Sequence, residues 1–164
     1  MLKEYLTLEK YEELKNSDDL IYKALEISTI LFDNQTDKGG APYILHLLYV
    51  YKNVKTKEEK IIALLHDVME DKNVTKEDLL DIGFSKKIAD DIEMLTRVKP
   101  CEYSSYIDKI VNNGSKEALE VKLADLKNNI DLSRIENLSI KDKLRVEERY
   151  MPSYEKIITK LEEM

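Results

Sequence analysis

The chain has no tryptophan, two phenylalanines, two histidines, one cysteine, four glycines and three prolines in 164 residues. Each shortage excludes something. A lone cysteine, Cys101, cannot form an internal disulfide, which fits a reducing cytoplasm. Few glycines and prolines beside many Leu, Ile, Lys and Glu favour helix over sheet. No apolar run approaches the roughly 18 residues of a membrane span, and Met1-Leu2-Lys3-Glu4-Tyr5 has no signal-peptide core. There is no excess of basic residues: the net charge is -7 and the pI about 5.0. A nucleic-acid polymer is therefore not the expected partner. A small phosphorylated nucleotide remains compatible, because a metal ion and a few local cations can hold it.

What is present is ordinary for a folded chain, with 43% hydrophobic and 36% charged residues. The length predicts a single domain over residues 1–164. Helix-start signals recur along it. Ser17 precedes Asp18-Asp19 and an apolar-periodic run to Phe32, and Thr56 with Glu59 makes a capping-box pattern before Ile61 to His66. Thr75 with Asp78 repeats the device, with Gly83 placed to stop that helix. Ser85, Ser115 and Ser139 precede further helical stretches, the last interrupted at Pro152. No alternating run demands a strand, so the expected fold is an all-α helical bundle of roughly seven to nine helices. The irregular part is residues 33–42, where Asp37-Lys38-Gly39-Gly40 leads into the segment carrying His46. A glycine-flanked Lys38 there is placed to meet a phosphate, although a surface turn would have the same composition.

Both histidines open chemically loaded segments. His46 follows Pro42-Tyr43-Ile44-Leu45, and His66 begins His66-Asp67-Val68-Met69-Glu70-Asp71. A third segment, Val121-Lys122-Leu123-Ala124-Asp125-Leu126-Lys127-Asn128-Asn129, sets Asp125 in an apolar stretch. Residues four apart on a helix share a face, so His66 and Glu70 are expected to stack one turn apart, and so are Asp67 and Asp71. His46, His66, Asp67 and Asp125 then form a set of two imidazoles and two carboxylates suited to one divalent ion, with Glu70 and Asp71 left to handle water. The residues alone leave a second reading open. A buried carboxylate is costly without a partner, and a salt bridge to Lys or Arg would satisfy Asp67 or Asp125 as well as a metal would.

The string Asp37-Lys38-Gly39-Gly40-Ala41-Pro42-Tyr43-Ile44-Leu45-His46 resembles the first motif of the HD-domain phosphohydrolases related to the RelA/SpoT (p)ppGpp hydrolases. Ala63 through Asp71 resembles their HD and ED motifs. Leu95-Thr96-Arg97, Tyr103-Ser104-Ser105-Tyr106-Ile107 and the Asp125 segment follow in the family's order, so the likeness runs from about residue 21 to residue 134. The resemblance implies an all-α HD-type fold and one divalent ion, commonly manganese, with iron or zinc as alternatives. It implies His46, His66, Asp67 and Asp125 as ligands, Glu70 and Asp71 as the water-activating pair, Lys38 as a phosphate contact and Asn129 as a neighbour of the nucleotide sugar. The implied activity is that of a metal-dependent (p)ppGpp 3′-pyrophosphohydrolase. A hydrolase of another phosphorylated nucleotide, such as a nucleoside monophosphate or NADPH, is the alternative enzyme, and a nucleotide-sensing module without turnover the alternative class. The early end of the chain implies hydrolysis without synthesis.

Two positions depart from the family pattern. Leu47 stands where proline usually follows the first histidine, and Asp37 stands where the best-known alarmone hydrolases carry an arginine associated with the guanine base. Among secondary candidates, Arg97 and Lys99 could hold distal phosphates, while Tyr103 and Tyr106 at three-residue spacing suit either pocket or core. Cys101 lacks a histidine partner for thiol catalysis, and Glu147-Glu148-Arg149 is most simply a solvated face.

Overall fold

Seven helices of the computed structural model, which describes all 164 residues, open on a side-chain oxygen that accepts a backbone N–H of the next turn. The caps are Thr7, Asp19, Thr56, Thr75, Ser85, Ser115 and Ser139. In chain order the helices are α1 (Leu8–Asn16), α2 (Leu20–Leu31), α3 (Ile44–Lys52), α4 (Lys57–Leu65), α5 (Val68–Lys72), α6 (Lys76–Asp81), α7 (Lys86–Met94), α8 (Tyr103–Asn113), α9 (Lys116–Ile130), α10 (Ile140–Arg145) and α11 (Met151–Glu163). Backbone pairing of the β type is confined to one bridge, Thr36 to Pro42. The capping boxes expected at Thr56–Glu59 and Thr75–Asp78 are both formed, and Gly83 ends α6 with φ +109°.

Eleven α-helices exceed the seven to nine expected, for local reasons. The Thr7 cap of α1 went unread in the sequence. Ser17 is not the cap of α2; its hydroxyl instead accepts from the N–H of Asp19, which caps the helix. The run through His66 is not one helix. The Ala63 carbonyl accepts from His66 Nδ1 at 2.7 Å, and the Leu64 carbonyl accepts from the Ser28 hydroxyl. Both are carbonyls that a continuing helix would give to residues 67 and 68, so α4 stops at Leu65 and α5 starts afresh at Val68. The interruption expected near Pro152 is a π turn over Val146–Tyr150, followed by α11 with the proline in its first turn.

One core of 34 buried apolar residues runs through the bundle. Its axis is α4, whose Ile61, Ile62, Ala63, Leu64 and Leu65 are all essentially inaccessible. α2, α3 and α9 pack on α4, and α11 covers α9. The C-terminal end of α4, the start of α3 and the second half of α9 therefore meet at one place, which is where the histidines and Asp125 lie.

Candidate metal centre and its two chambers

The break between α4 and α5 turns His66 inward. Because the Ala63 carbonyl can only accept, His66 Nδ1 is the donor of that bond, and Nε2 is directed into the bundle. There it has no hydrogen-bond partner. His46, in the first turn of α3, is arranged in the same way: its Nδ1 donates to the Asn128 amide oxygen at 2.7 Å. Its Nε2 lies 3.0 Å from Asp125 Oδ1 and 3.9 Å from Asp67 Oδ2. His66 Nε2 lies 3.2 Å from Asp67 Oδ2 and 3.5 Å from Asp125 Oδ1. One donor atom from each of His46, His66 and Asp125 falls within 4.8 Å of the others. An orphaned, buried imidazole nitrogen facing two carboxylate oxygens is the condition a divalent ion would satisfy, and the fixed Nδ1 bonds are the supports that ligating imidazoles generally have. The buried His-His-Asp group suits one divalent ion of the N/O-binding kind.

Charge points the same way. Burial alone would lower both imidazole pKa values, but the Asp125 and Asp67 carboxylates outweigh it, raising His46 and pushing His66 up to about 9. Burial would raise Asp125, but the Lys122 ammonium 2.7 Å from its Oδ2, with the two imidazoles, holds it well below the usual carboxylate range. The cluster thus draws positive charge, and a divalent ion would displace protons on binding. Tyr43 closes the fourth side: its hydroxyl donates to Asp67 Oδ2 at 2.5 Å and its ring stacks on Phe32 with centroids 5.1 Å apart.

A chamber of about 270 Å³ opens on this cluster, and Glu70, Asp71 and Arg97 are also in its lining. Glu70 Oε1 accepts the Arg97 backbone N–H at 2.8 Å. Asp71 is pushed up to about 6 by desolvation and by the carboxylates of Asp67 and Glu70. Lys122 and Arg149 supply further cations, and the Arg97 and Arg149 guanidinium groups each lie 5.6 Å from the Tyr103 ring centre. Arg149 therefore does not belong to a merely solvated face; it lines the chamber from the π turn at Val146–Tyr150. Tyr103 and Tyr106 serve both roles the spacing allowed. Each lines the chamber, and the buried Tyr106 hydroxyl donates to the Leu95 carbonyl at 2.5 Å.

The remaining candidates divide. Asn129 donates to Asp125 Oδ1 at 3.2 Å and lines both this chamber and a second one of about 270 Å³. Lys38 lines the second chamber only and is paired with Asp142 at 3.0 Å. Lys99 lines neither; it sits in an outer groove beside Cys101, which shares Arg97, Tyr103 and Arg149 with the first chamber. Tyr43, Lys122, Asn128, Arg134, Arg149 and Tyr150 received no role from the sequence. Lys122 alone had a legible signal, three residues before Asp125 on one helix face.

Among known proteins, this chain is similar to bacterial guanosine-3′,5′-bis(diphosphate) 3′-pyrophosphohydrolases and to a GTP pyrophosphokinase. The guanosine-3′,5′-bis(diphosphate) 3′-pyrophosphohydrolase of Borreliella burgdorferi is 32% identical over 123 residues, 67% of this chain and 18% of that protein. Its namesake in Vibrio cholerae is 31% identical over 135 residues, 74% of this chain and 18% of that protein. This chain is an HD-domain relative of the RelA/SpoT hydrolases. The GTP pyrophosphokinase of Myxococcus xanthus is 26% identical over 159 residues, 87% of this chain and 21% of that protein. The HD-type chain thus spans about a fifth of the length of these curated relatives. A solved structure described as a metazoan ortholog of SpoT that hydrolyzes ppGpp has the same fold. Its TM-score is 0.69 at 21% identity, over 88% of this chain and 86% of that one. No protein-family model matches the chain. No helix is long and apolar enough to cross a membrane.

Proposed function

We propose that the protein is a manganese-dependent phosphohydrolase that removes the 3′-diphosphate of guanosine tetra- or pentaphosphate. The observation that carries this reading is the unpartnered His66 Nε2, which faces Asp67 and Asp125 beside His46, in the wall of a chamber that also holds Glu70 and Asp71. His46, His66, Asp67 and Asp125 are the proposed ligands of one ion per chain. Four N/O protein ligands suit Mn²⁺ or Fe²⁺ and leave room in a six-coordinate shell, while Zn²⁺ more often takes four ligands in all. When bound, the ion supplies Lewis-acid stabilisation of charge on the phosphoryl oxygens and lowers the pKa of water.

The chain's own groups do the rest. Asp71, raised to about 6, is the group suited to accept a proton from the attacking water near neutral pH. Glu70, fixed on the Arg97 backbone N–H, orients that water. Arg97, Lys122 and Arg149 surround the phosphates with positive charge in an otherwise acidic protein. Asn129 sits at the junction of the chambers, where the sugar would join the phosphates to the base.

The deciding experiment is a manganese-supplemented assay of the purified protein against ppGpp, NADPH and nucleoside monophosphates, with elemental analysis of the metal. The expected result is release of diphosphate from ppGpp with about one ion per chain. Turnover of a monophosphate or NADPH without ppGpp would replace the substrate. Tight guanosine-nucleotide binding without turnover of any of them would replace the enzyme by a sensing module.

A further inference from the structure

The second chamber differs from the first in its lining. Leu132, Ile135, Val146 and Tyr150 give it apolar walls, and its volume of about 270 Å³ is near the small end of ligand sites, about 300–1,000 Å³. It meets the first chamber at Tyr43, His46, Asn129 and Tyr150. An apolar compartment opening on a polar, cation-lined one matches a molecule with a flat aromatic end and an anionic end. If the phosphates lie beside the imidazoles, as the proposed function has it, the base lies here.

The polar groups in this compartment are arranged with a definite sense. Asp37 is held on three sides: its Oδ1 accepts the N–H groups of Gly39 at 2.8 Å and Ala41 at 3.1 Å, and its Oδ2 accepts Arg134 Nε at 3.0 Å. Arg134 NH1 also reaches the Asn128 carbonyl at 3.5 Å. A guanidinium carries five N–H donors, so Arg134 keeps three without a protein acceptor, and it stands in the wall of the chamber. The turn at residues 37–41 thus clamps the acid, and the acid and the Asn128 carbonyl together anchor the guanidinium at two of its nitrogens. What the pair offers a ligand is chiefly a fork of donors: three of the acid's roughly four acceptor sites are taken by its partners, and the remaining one, on Oδ2, lies beside Arg134 Nε.

We propose that Arg134, anchored by Asp37, is the specificity-determining residue of this site and selects guanine over adenine. Guanine presents two acceptors, N7 and O6, on the edge that a guanidinium fork engages; adenine presents one acceptor and an amino donor there. A donor fork pairs with the first edge and confronts a like donor on the second. The inference rests on the proposed function only for where the base sits. It also separates two enzymatic possibilities, since the phosphate-bearing nucleoside of NADPH is an adenosine.

The test is calorimetric binding of GDP and of ADP to the manganese-loaded protein, because neither carries a 3′-diphosphate and binding can be read without turnover. The intact protein is expected to bind GDP about ten-fold more tightly than ADP, with Arg134→Gln abolishing the preference by weakening GDP alone. Arg134→Lys keeps the charge but loses the planar fork and is expected to lose the preference as well. Asp37→Asn, which retains the side-chain shape, should reduce the preference by freeing the guanidinium. Unfolding curves of the variants control for folding. Equal affinity of the intact protein for GDP and ADP, or a preference that survives in Arg134→Gln, overturns the inference even if ppGpp is hydrolysed. A GDP preference that depends on Arg134 in a protein that leaves ppGpp intact sustains the inference and removes the hydrolase reading instead.

Discussion

The carboxylate of Asp125 is divided between two partners: Oδ2 lies 2.7 Å from Lys122 Nζ, and Oδ1 lies 3.0 Å from His46 Nε2. Both charged residues are buried. The lysine therefore occupies the oxygen that a bidentate ligand would need, leaving Asp125 one oxygen for the imidazole side. It also places a fixed positive charge behind the cluster, flanked by the faces of Tyr103 and Tyr106.

Removing that lysine should separate folding stability from metal affinity. Lys122→Met leaves the buried Asp125 carboxylate with the two imidazoles as its remaining partners, a loss bounded by the roughly 3–5 kcal/mol typical of breaking a buried pair outright. The metal-free variant should melt well below the parent. A cation at the cluster then becomes the main partner of Asp125 and no longer meets a lysine's repulsion, so manganese should bind the variant more tightly and restore more of its stability. Thermal melts with and without manganese, alongside a metal titration, read both effects. Weaker manganese binding in the variant would show that Lys122 supports the ion site rather than opposing it.

Glu70 and Asp71 sit outside the group of imidazole nitrogens, so their loss should fall on turnover. Glu70→Gln and Asp71→Asn are each expected to reduce kcat by about 10²–10⁴-fold while keeping the metal content of the parent. The pH profile adds a sign. A base must be deprotonated to act, so kcat/KM should rise with pH through the Asp71 pKa. Desolvation with the Asp67 and Glu70 carboxylates sets that pKa at about 6, and a bound cation moves it lower. The acid limb therefore lies at or below about 6 and should vanish in Asp71→Asn. Single-turnover assays across pH check this, and unchanged turnover in the double variant would assign the pair to structure.

Much of the site was legible because its residues break local rules. His66-Asp67 interrupts an apolar run, and Asp125 sits in another; neither belongs in a core without a partner. The fold class was legible from composition and caps. The break at His66 was not, because it depends on Ser28, far away in sequence, taking the Leu64 carbonyl. Arg134 and Arg149 were equally hidden. One gains its meaning from Asp37, 97 positions earlier, and the other from a π turn that no propensity marks. The first helix was missed for a plainer reason, since its mostly polar sequence buries only Tyr11 and Leu14.

Lys38 pairs with Asp142 at 3.0 Å, and more than half of its side chain is exposed. Such a pair contributes about 0–1 kcal/mol, so the 5′-diphosphate of a nucleotide whose base fills the second chamber can recruit the lysine at little cost. Lys38→Ala should leave the unfolding midpoint nearly unchanged and raise KM for ppGpp several-fold, with a smaller effect on a nucleoside monophosphate. Steady-state kinetics on the two substrates decide it. An equal effect on both would place Lys38 away from the additional phosphates.

Lys23 offers a stability test independent of the site. It is 1% exposed, and its ammonium donates to the Ile82 carbonyl at 2.7 Å, where α6 ends against Gly83. Burial lowers its pKa from 10.5, only partly opposed by Asp18. The folded protein therefore gives up this proton at a lower pH than the unfolded chain does. Between the two pKa values the unfolded state binds more protons, and stability rises with pH. Lys23→Met removes that dependence together with the bond to Ile82, leaving a buried carbonyl unpaired at a cost of about 1–3 kcal/mol. In urea unfolding, the parent should gain stability relative to Lys23→Met as pH climbs toward 10.5, because the neutral amine still donates to Ile82 and no longer carries a buried charge. A difference that stays flat or shrinks over that window would mean that the lysine keeps its proton in the folded state, with its charge solvated despite the burial.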